Sequence, residues 1–344
     1  MRWDNLKIEA EEGERLPGFR DPATVRTFDA PEAVGIRFLE VNARSAINEV
    51  PKRSRMPFRF TINPYRGCSH ACIYCFARPT HKYLDFNARE DFERKIVVKV
   101  NVPELVRAEL GRRTWGGDHV ALGTNTDPYQ WVEGRYKLLP GIWEAMRDFS
   151  NPCSVLTKSP LLLRDLPLFR ELVERTDFAA NLSIPTIDEK AWRATEPHTP
   201  HPRKRLEAVD ELVRNGVPTG VLIAPLIPGV NDDPKQVEEI LETAGEAGAR
   251  SIAGVPLHLR GEVREIWFDW LRQYRPDLVE FYEEIYARGA YMRSDEASRL
   301  RAIARPGRAA AWQARDLGSR RRRSRTQAEK APPDTPATDQ ARLF

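Results

Sequence analysis

Three of the chain's four cysteines, Cys68, Cys72 and Cys75, fall within eight residues of the segment NPYRGCSHACIYCFARPTHKYL; the fourth is Cys153. So tight a set is not the framework of a secreted disulfide fold, and in a reducing compartment it points to metal or redox chemistry. Three thiolates on one loop can ligate three corners of an iron–sulfur cubane, which leaves the fourth iron open to another ligand. The same thiolates can also hold a structural zinc ion with His70 or His81 as fourth ligand, although zinc cysteines are usually spaced in pairs. Spacing alone leaves both readings open. Gly67, immediately before the first cysteine, gives the loop backbone freedom.

Such a loop needs a scaffold. Apolar runs of strand length occur at 58–65, 119–124, 153–158, 178–184, 219–226 and 251–259, with an extra candidate, IVVKVN, at 96–101. Each run is nearly continuous in apolar character, as in strands covered on both faces. Helical patterns such as LLLRDLPLFRELVERT and RKRLEAVDELVRNG lie between them. Strand–helix alternation of this kind predicts an α/β fold with a parallel sheet or barrel of six or seven units. The cysteines directly follow the first run. Residues 1–55 form an N-terminal extension without a clear period, in which ARSAINEV suggests a short helix, and 56–260 form the α/β core. An aromatic-rich helical cap follows over 261–312. Residues 313–344, few in apolar side chains and rich in Arg, Pro, Ser and Thr, are expected to be a disordered basic tail.

The formal charge of +4 is unevenly placed. Residues 301–344 carry eleven Lys/Arg against four Asp/Glu, leaving 43 basic and 46 acidic residues in the first 300. The body is therefore close to neutral, and net charge does not indicate a nucleic-acid surface on it. RRRRSR at 320–325 offers phosphate contacts to nucleic acid, or simply solubilises. No apolar run reaches the ~20 residues of a membrane span. The charged N-terminus lacks the apolar region of a secretory signal, and a cytoplasmic location is expected.

The spacing C-x3-C-x2-C, with aromatic Tyr74 before the last cysteine, resembles the signature of the radical S-adenosylmethionine superfamily. GTNTDPYQ, LTKSP, NLSIPT, EPHTPHPRKRL and PLIPGVND follow in the order seen in its spore photoproduct lyase-like branch, over about residues 60–260. The resemblance implies a partial (β/α)6 TIM-like barrel of the radical SAM type, with a [4Fe-4S] cluster on Cys68, Cys72 and Cys75 at the C-terminal edge of the strands. It implies S-adenosyl-L-methionine as the second cofactor, cleaved reductively to a 5′-deoxyadenosyl radical that abstracts hydrogen from a substrate. An external one-electron donor of flavodoxin or ferredoxin type is implied as partner.

Residue roles follow from the same resemblance. Asp127, with Thr124, Asn125 and Thr126, is placed to meet the cofactor's amine, although N-T-D-P is also good turn chemistry. Lys158 is placed for the methionine carboxylate, Ser183 for the carboxylate or ribose, and Tyr74 near the adenine. Asn231 and Asp232 read as a turn, and His198 and His201 as a solvated loop that could line the substrate mouth.

The catalytic residues and the substrate remain unknown from sequence, with nucleic acid or a modified peptide as candidates. A cysteine that returns hydrogen in the lyase has no counterpart near GTNTDPYQ. Cys153 reads as a small buried residue, and a tyrosine such as Tyr129 could serve as donor instead. The competing reading is a non-catalytic zinc or iron–sulfur module that binds nucleic acid through its basic tail.

Overall fold

The computed structural model describes residues 8–13, 15–52, 54 and 56–305. The basic tail and the end of the expected cap lie outside the described residues. Among the described residues, twelve strands form two sheets: β1 (Ile8–Glu12), β2 (Thr24–Phe28), β3 (Arg37–Val41), β4 (Ile47–Glu49), β5 (Phe60–Ile62), β6 (Tyr65–Arg66), β7 (Lys95–Lys99), β8 (Val120–Leu122), β9 (Cys153–Thr157), β10 (Phe178–Ser183), β11 (Thr219–Leu226) and β12 (Ser251–Pro256).

The larger sheet runs β12-β11-β10-β9-β8-β5-β4. Its strands from β5 to β12 pair in parallel, and only the edge strand β4 is antiparallel. Each parallel strand lies next to the preceding one in the chain. The parallel order requires crossover connections, and helices lie between consecutive strands of this sheet from β8 onward. The expected α/β fold with six parallel strands is what the chain adopts.

The helices have local causes. Asp233 caps the helix Pro234–Glu246 by accepting from the N–H groups of Lys235 and Gln236, and proline opens both this helix and Pro202–Arg214 where no N–H is needed. Inside, Trp143 meets Phe169 and Phe178 edge-on, with centroids 5.6 and 5.8 Å apart, and all three rings are buried.

Two expectations are corrected. ARSAINEV is not a helix: residues 47–49 are β4, antiparallel to β5, because Ile47 pairs with Ile62 along the sheet edge. The extra strand candidate at 96–101 forms β7, but it does not extend the parallel sheet. It joins a second sheet ordered β1-β2-β3-β7-β6. There β3 pairs in parallel with β7, so the N-terminal extension and the core share one sheet. Helices Glu262–Tyr274, Val279–Ile285 and Ser294–Ile303 follow the last strand.

Candidate active site at the strand ends

The cysteine loop leaves β6 through Gly67. Its φ is +79°, and a Cβ there would lie 2.8 Å from the Phe92 carbonyl and 2.9 Å from the His81 ring, so only glycine fits. Three neighbours hold the loop. Thr126 Oγ1 donates to the Gly67 carbonyl at 2.7 Å. Gln130 donates to the same carbonyl and accepts from the N–H of Ser69 at 3.0 Å. Arg78, 1% exposed, donates from Nε to Cys72 O at 3.0 Å and from Nη2 to Ala71 O at 3.0 Å, while pairing with Glu93. Five guanidinium donors in a rigid fork suit this task. Sequence reasoning missed Arg78 and Gln130, because a lone arginine or glutamine beside a motif carries no signal until the fold brings backbone carbonyls to it.

The loop gathers free thiols and buried polar atoms without a hydrogen bond. All four cysteines are free thiols; Cys68 and Cys72 are buried and Cys75 is half-buried. Ser69 Oγ and both ring nitrogens of His70 are buried without a hydrogen bond, although His70 Nδ1 lies 3.4 Å from Asp127 Oδ2. Burial would lower the His70 pKa, but the charges of Cys68 and Asp127 outweigh it and raise it to about 10. Burial, reinforced by Cys68, pushes the Cys75 thiol up to about 11, and burial with Glu196 raises Cys72 well above its ordinary value. Left alone these would be inert thiols; metal ligation deprotonates such groups.

Among the described residues, no three His, Cys, Asp or Glu side chains converge tightly enough to hold a single ion. A tetrahedral zinc with bonds of about 2.3 Å needs its thiolates within ~4 Å of one another, whereas a cubane takes each thiolate on a separate iron. His81 packs against Phe86 and Phe92, and its Nε2 meets the Lys95 carbonyl at 2.9 Å. The three free thiols on one loop fit an iron–sulfur cluster.

Beyond β8, Gly123 (φ +82°) lets the chain turn into Thr124–Asp127. Asp127 accepts from Thr157 Oγ1 at 2.6 Å, from Tyr129 N at 2.9 Å and from Lys158 N at 2.7 Å. Burial would raise its pKa, but His70 and these donors hold it below the usual carboxylate range. Thr126 likewise points inward. Thr124 and Asn125 are half-buried at the open edge and lean on Asn63 Oδ1, at 3.5 and 3.2 Å.

Past β9 and β10 the structure joins three of the residues named from sequence. Lys158 Nζ lies 2.6 Å from Ser183 Oγ and 3.1 Å from Glu196 Oε1, and 5.7 Å from the centroid of the Tyr74 ring. The Tyr74 hydroxyl donates to Glu196, so this side chain points into a polar cluster. Arg205 completes it, donating to Glu196 Oε2 at 2.6 Å and to the Ser183 carbonyl at 2.9 Å. Burial alone would raise the Glu196 carboxyl, yet Arg205 and Lys158 hold it at about 2.

Other candidates fall away from this centre. Asn231 bonds Ile227 N and the carbonyls of Pro185 and Pro225, and Asp232 accepts from Gly229 N, so both build the turn. His201 caps a helix by accepting from Arg203 N, and His198 is exposed. Tyr129 is fully buried, donates to Asp165 and accepts from Trp143. Cys153 is fully buried as well, and burial raises its thiol pKa.

Residues 62–244 match the Radical SAM superfamily. This chain belongs to that superfamily. Among curated proteins, a radical SAM chain of this kind is similar to uncharacterized protein Rv2578c of Mycobacterium tuberculosis, 43% identical over 296 residues, covering 85% of this chain and 87% of the relative. Uncharacterized protein MJ0683 of Methanocaldococcus jannaschii is 29% identical over 198 residues, covering 57% and 70%. The fold is similar to that of spore photoproduct lyase complexed with dinucleoside spore photoproduct, with TM-score 0.57 and 16% identity over 78% of this chain and 77% of that one. A mutant of that lyase with bound AdoMet and dinucleoside spore photoproduct matches equally well. Among the described residues, no helix is long and apolar enough to cross a membrane.

Proposed function

We propose that this radical SAM protein is an enzyme that holds a [4Fe–4S] cluster on Cys68, Cys72 and Cys75 and binds S-adenosylmethionine across the strand ends from β8 to β10. The observation that carries the reading is the cysteine loop itself: three free thiols with buried Ser69 and His70 between them, held by Thr126 and Gln130 beside the C-terminal end of a parallel strand. When bound, the cluster supplies the electron that cleaves the cofactor reductively.

The chain's own residues bind and orient. Lys158 receives the methionine carboxylate; it can leave Glu196 without stranding it, because Arg205 and Tyr74 still satisfy that carboxylate. Ser183, already bonded to Lys158, contributes a hydroxyl to the carboxylate or ribose. Thr124 and Asn125 face the amine from the open edge. Asp127, whose oxygens are taken by Thr157, Tyr129 and Lys158, positions that loop from behind, and Thr126 fastens it to Gly67. Tyr74 walls the adenine side. The bound dinucleoside in the structural neighbour supports a nucleic-acid-type substrate. A low-potential electron carrier is the required partner.

Anaerobic reconstitution tests this. The protein is expected to turn brown with about four irons, and dithionite reduction should release 5′-deoxyadenosine from S-adenosylmethionine. Cys72→Ala should abolish both iron retention at that level and cleavage. A colourless protein holding one zinc, with no deoxyadenosine formed, would favour the metal-module reading instead.

A further inference from the structure

Buried side-chain polar atoms normally find a hydrogen bond. Three that do not are carried by two consecutive residues: Ser69 Oγ and both ring nitrogens of His70. These residues are 3% and 1% exposed, so bulk solvent does not satisfy them. Both lie inside the cysteine loop, between Cys68 and Cys72. The loop backbone, by contrast, is well provided. Ser69 N donates to Gln130 Oε1 at 3.0 Å, and Ala71 N and Cys75 N donate to the carbonyls of Cys68 and Cys72, each at 3.2 Å. Arg78 donates to the carbonyls of Ala71 and Cys72. The shortfall belongs to the two side chains.

His70 is braced on one side. Asp127 Oδ2 lies 3.4 Å from its Nδ1. Asp127 cannot turn away, because Thr157 Oγ1, Tyr129 N and Lys158 N hold its two oxygens. The ring's second polar neighbour is Cys68. An orienting carboxylate behind a histidine is a common device for aiming its other ring nitrogen at a metal centre.

The chemistry of the loop narrows what these groups meet. The flanking cysteines are free thiols, and a neutral thiol is a weak acceptor. Ligation to iron makes each a thiolate, and a cluster adds sulfides. Such sulfurs accept N–H and O–H donors. Each hydrogen bond to sulfur favours the more negative, reduced state, and so raises the reduction potential.

We propose that Ser69 and His70, the latter braced by Asp127, donate hydrogen bonds to the sulfurs of the bound cluster and so raise its reduction potential. The inference rests on the cluster reading of the loop and adds two residues that tune the centre without ligating it. Asp127 then serves both sides, since the carboxylate that fixes the Thr124–Asp127 turn also steadies His70.

The test is a redox titration of the anaerobically reconstituted full-length protein, followed by electron paramagnetic resonance at fixed pH without S-adenosylmethionine, with iron and sulfide analysis alongside. Ser69→Ala and His70→Phe should keep about four irons and move the midpoint to a more negative potential. His70→Gln, which retains an N–H, should move it less than His70→Phe. Ser69→Ala removes only a hydroxyl, so it keeps the test decisive should His70→Phe load iron poorly. A negative shift in either variant supports the role of that residue. Midpoints unchanged or more positive in both overturn the proposal. So does iron loss in His70→Phe with an unshifted Ser69→Ala, the pattern of a ligand or a packing residue. A wild type that takes up no cluster sinks the cluster reading and this inference with it, whereas a normal cluster with unshifted variants sinks the inference alone.

Discussion

Glu196 and Arg205 are both fully buried, and their 2.6 Å pair sits directly behind Tyr74, Lys158 and Ser183. Removing one partner of such a pair strands the other charge, at a cost of about 3–5 kcal/mol. Glu196→Gln is therefore expected to lower the urea midpoint of the cluster-free protein steeply, while an exposed pair such as Arg193–Glu189 contributes little. The pH dependence has a definite sign. The Glu196 carboxyl sits at about 2 in the fold, against about 4.3 in an unfolded chain. On acidification the unfolded chain therefore takes up the proton first, and stability falls between roughly pH 4.5 and 2. Urea titrations across that window should show a shallower slope for Glu196→Gln; an unchanged slope would contradict the pairing.

The elements place these groups through tight contacts at their ends. Gly123 closes β8 so near β9 that a Cβ would fall 1.9 Å from the Leu156 carbonyl. The left-handed φ alone costs a substituted residue about 1–3 kcal/mol, and the clash adds to it. Gly123→Ala should lower the melting temperature and also weaken S-adenosylmethionine binding, since Thr124 and Asn125 hang from that turn. Deeper in the core, Phe169→Ala should cost about 3–5 kcal/mol, but leave the cofactor affinity of the folded fraction intact, because Phe169 packs on Trp143 and Phe178, away from the strand ends. Equilibrium dialysis with labelled cofactor separates the two effects.

At the scale of the whole molecule, the two sheets cannot be taken apart along the chain. β7 belongs to the stretch between β5 and β8, yet it pairs with β3 of the N-terminal extension. Deleting residues 1–42 would strip β7 of its parallel neighbour and expose its edge, an aggregation hazard. The expected result is an insoluble truncation, and for the full chain a single urea transition by fluorescence and far-UV circular dichroism. A soluble truncation that unfolds cooperatively would show that the extension is a separate unit.

How much was legible follows from physical range. The six parallel strands could be read because strands covered on both faces are continuous apolar runs. The N-terminal sheet could not: TVRTF and RFLEV are short, carry charged residues, and depend on a partner far along the chain. By itself the sequence determined the cysteine spacing, the alternation that makes a parallel α/β sheet, and the order of the strand-end segments, since these depend on residue type and neighbours. Only the tertiary structure decided what each group faces. It turned Asp127 inward onto Thr157 and Lys158, joined Lys158 to Ser183 and Glu196, and tied the cysteine loop to Thr126 and Gln130. Those contacts span tens of residues of chain, and electrostatics and hydrogen bonding at that range exist only once the backbone has closed the distance.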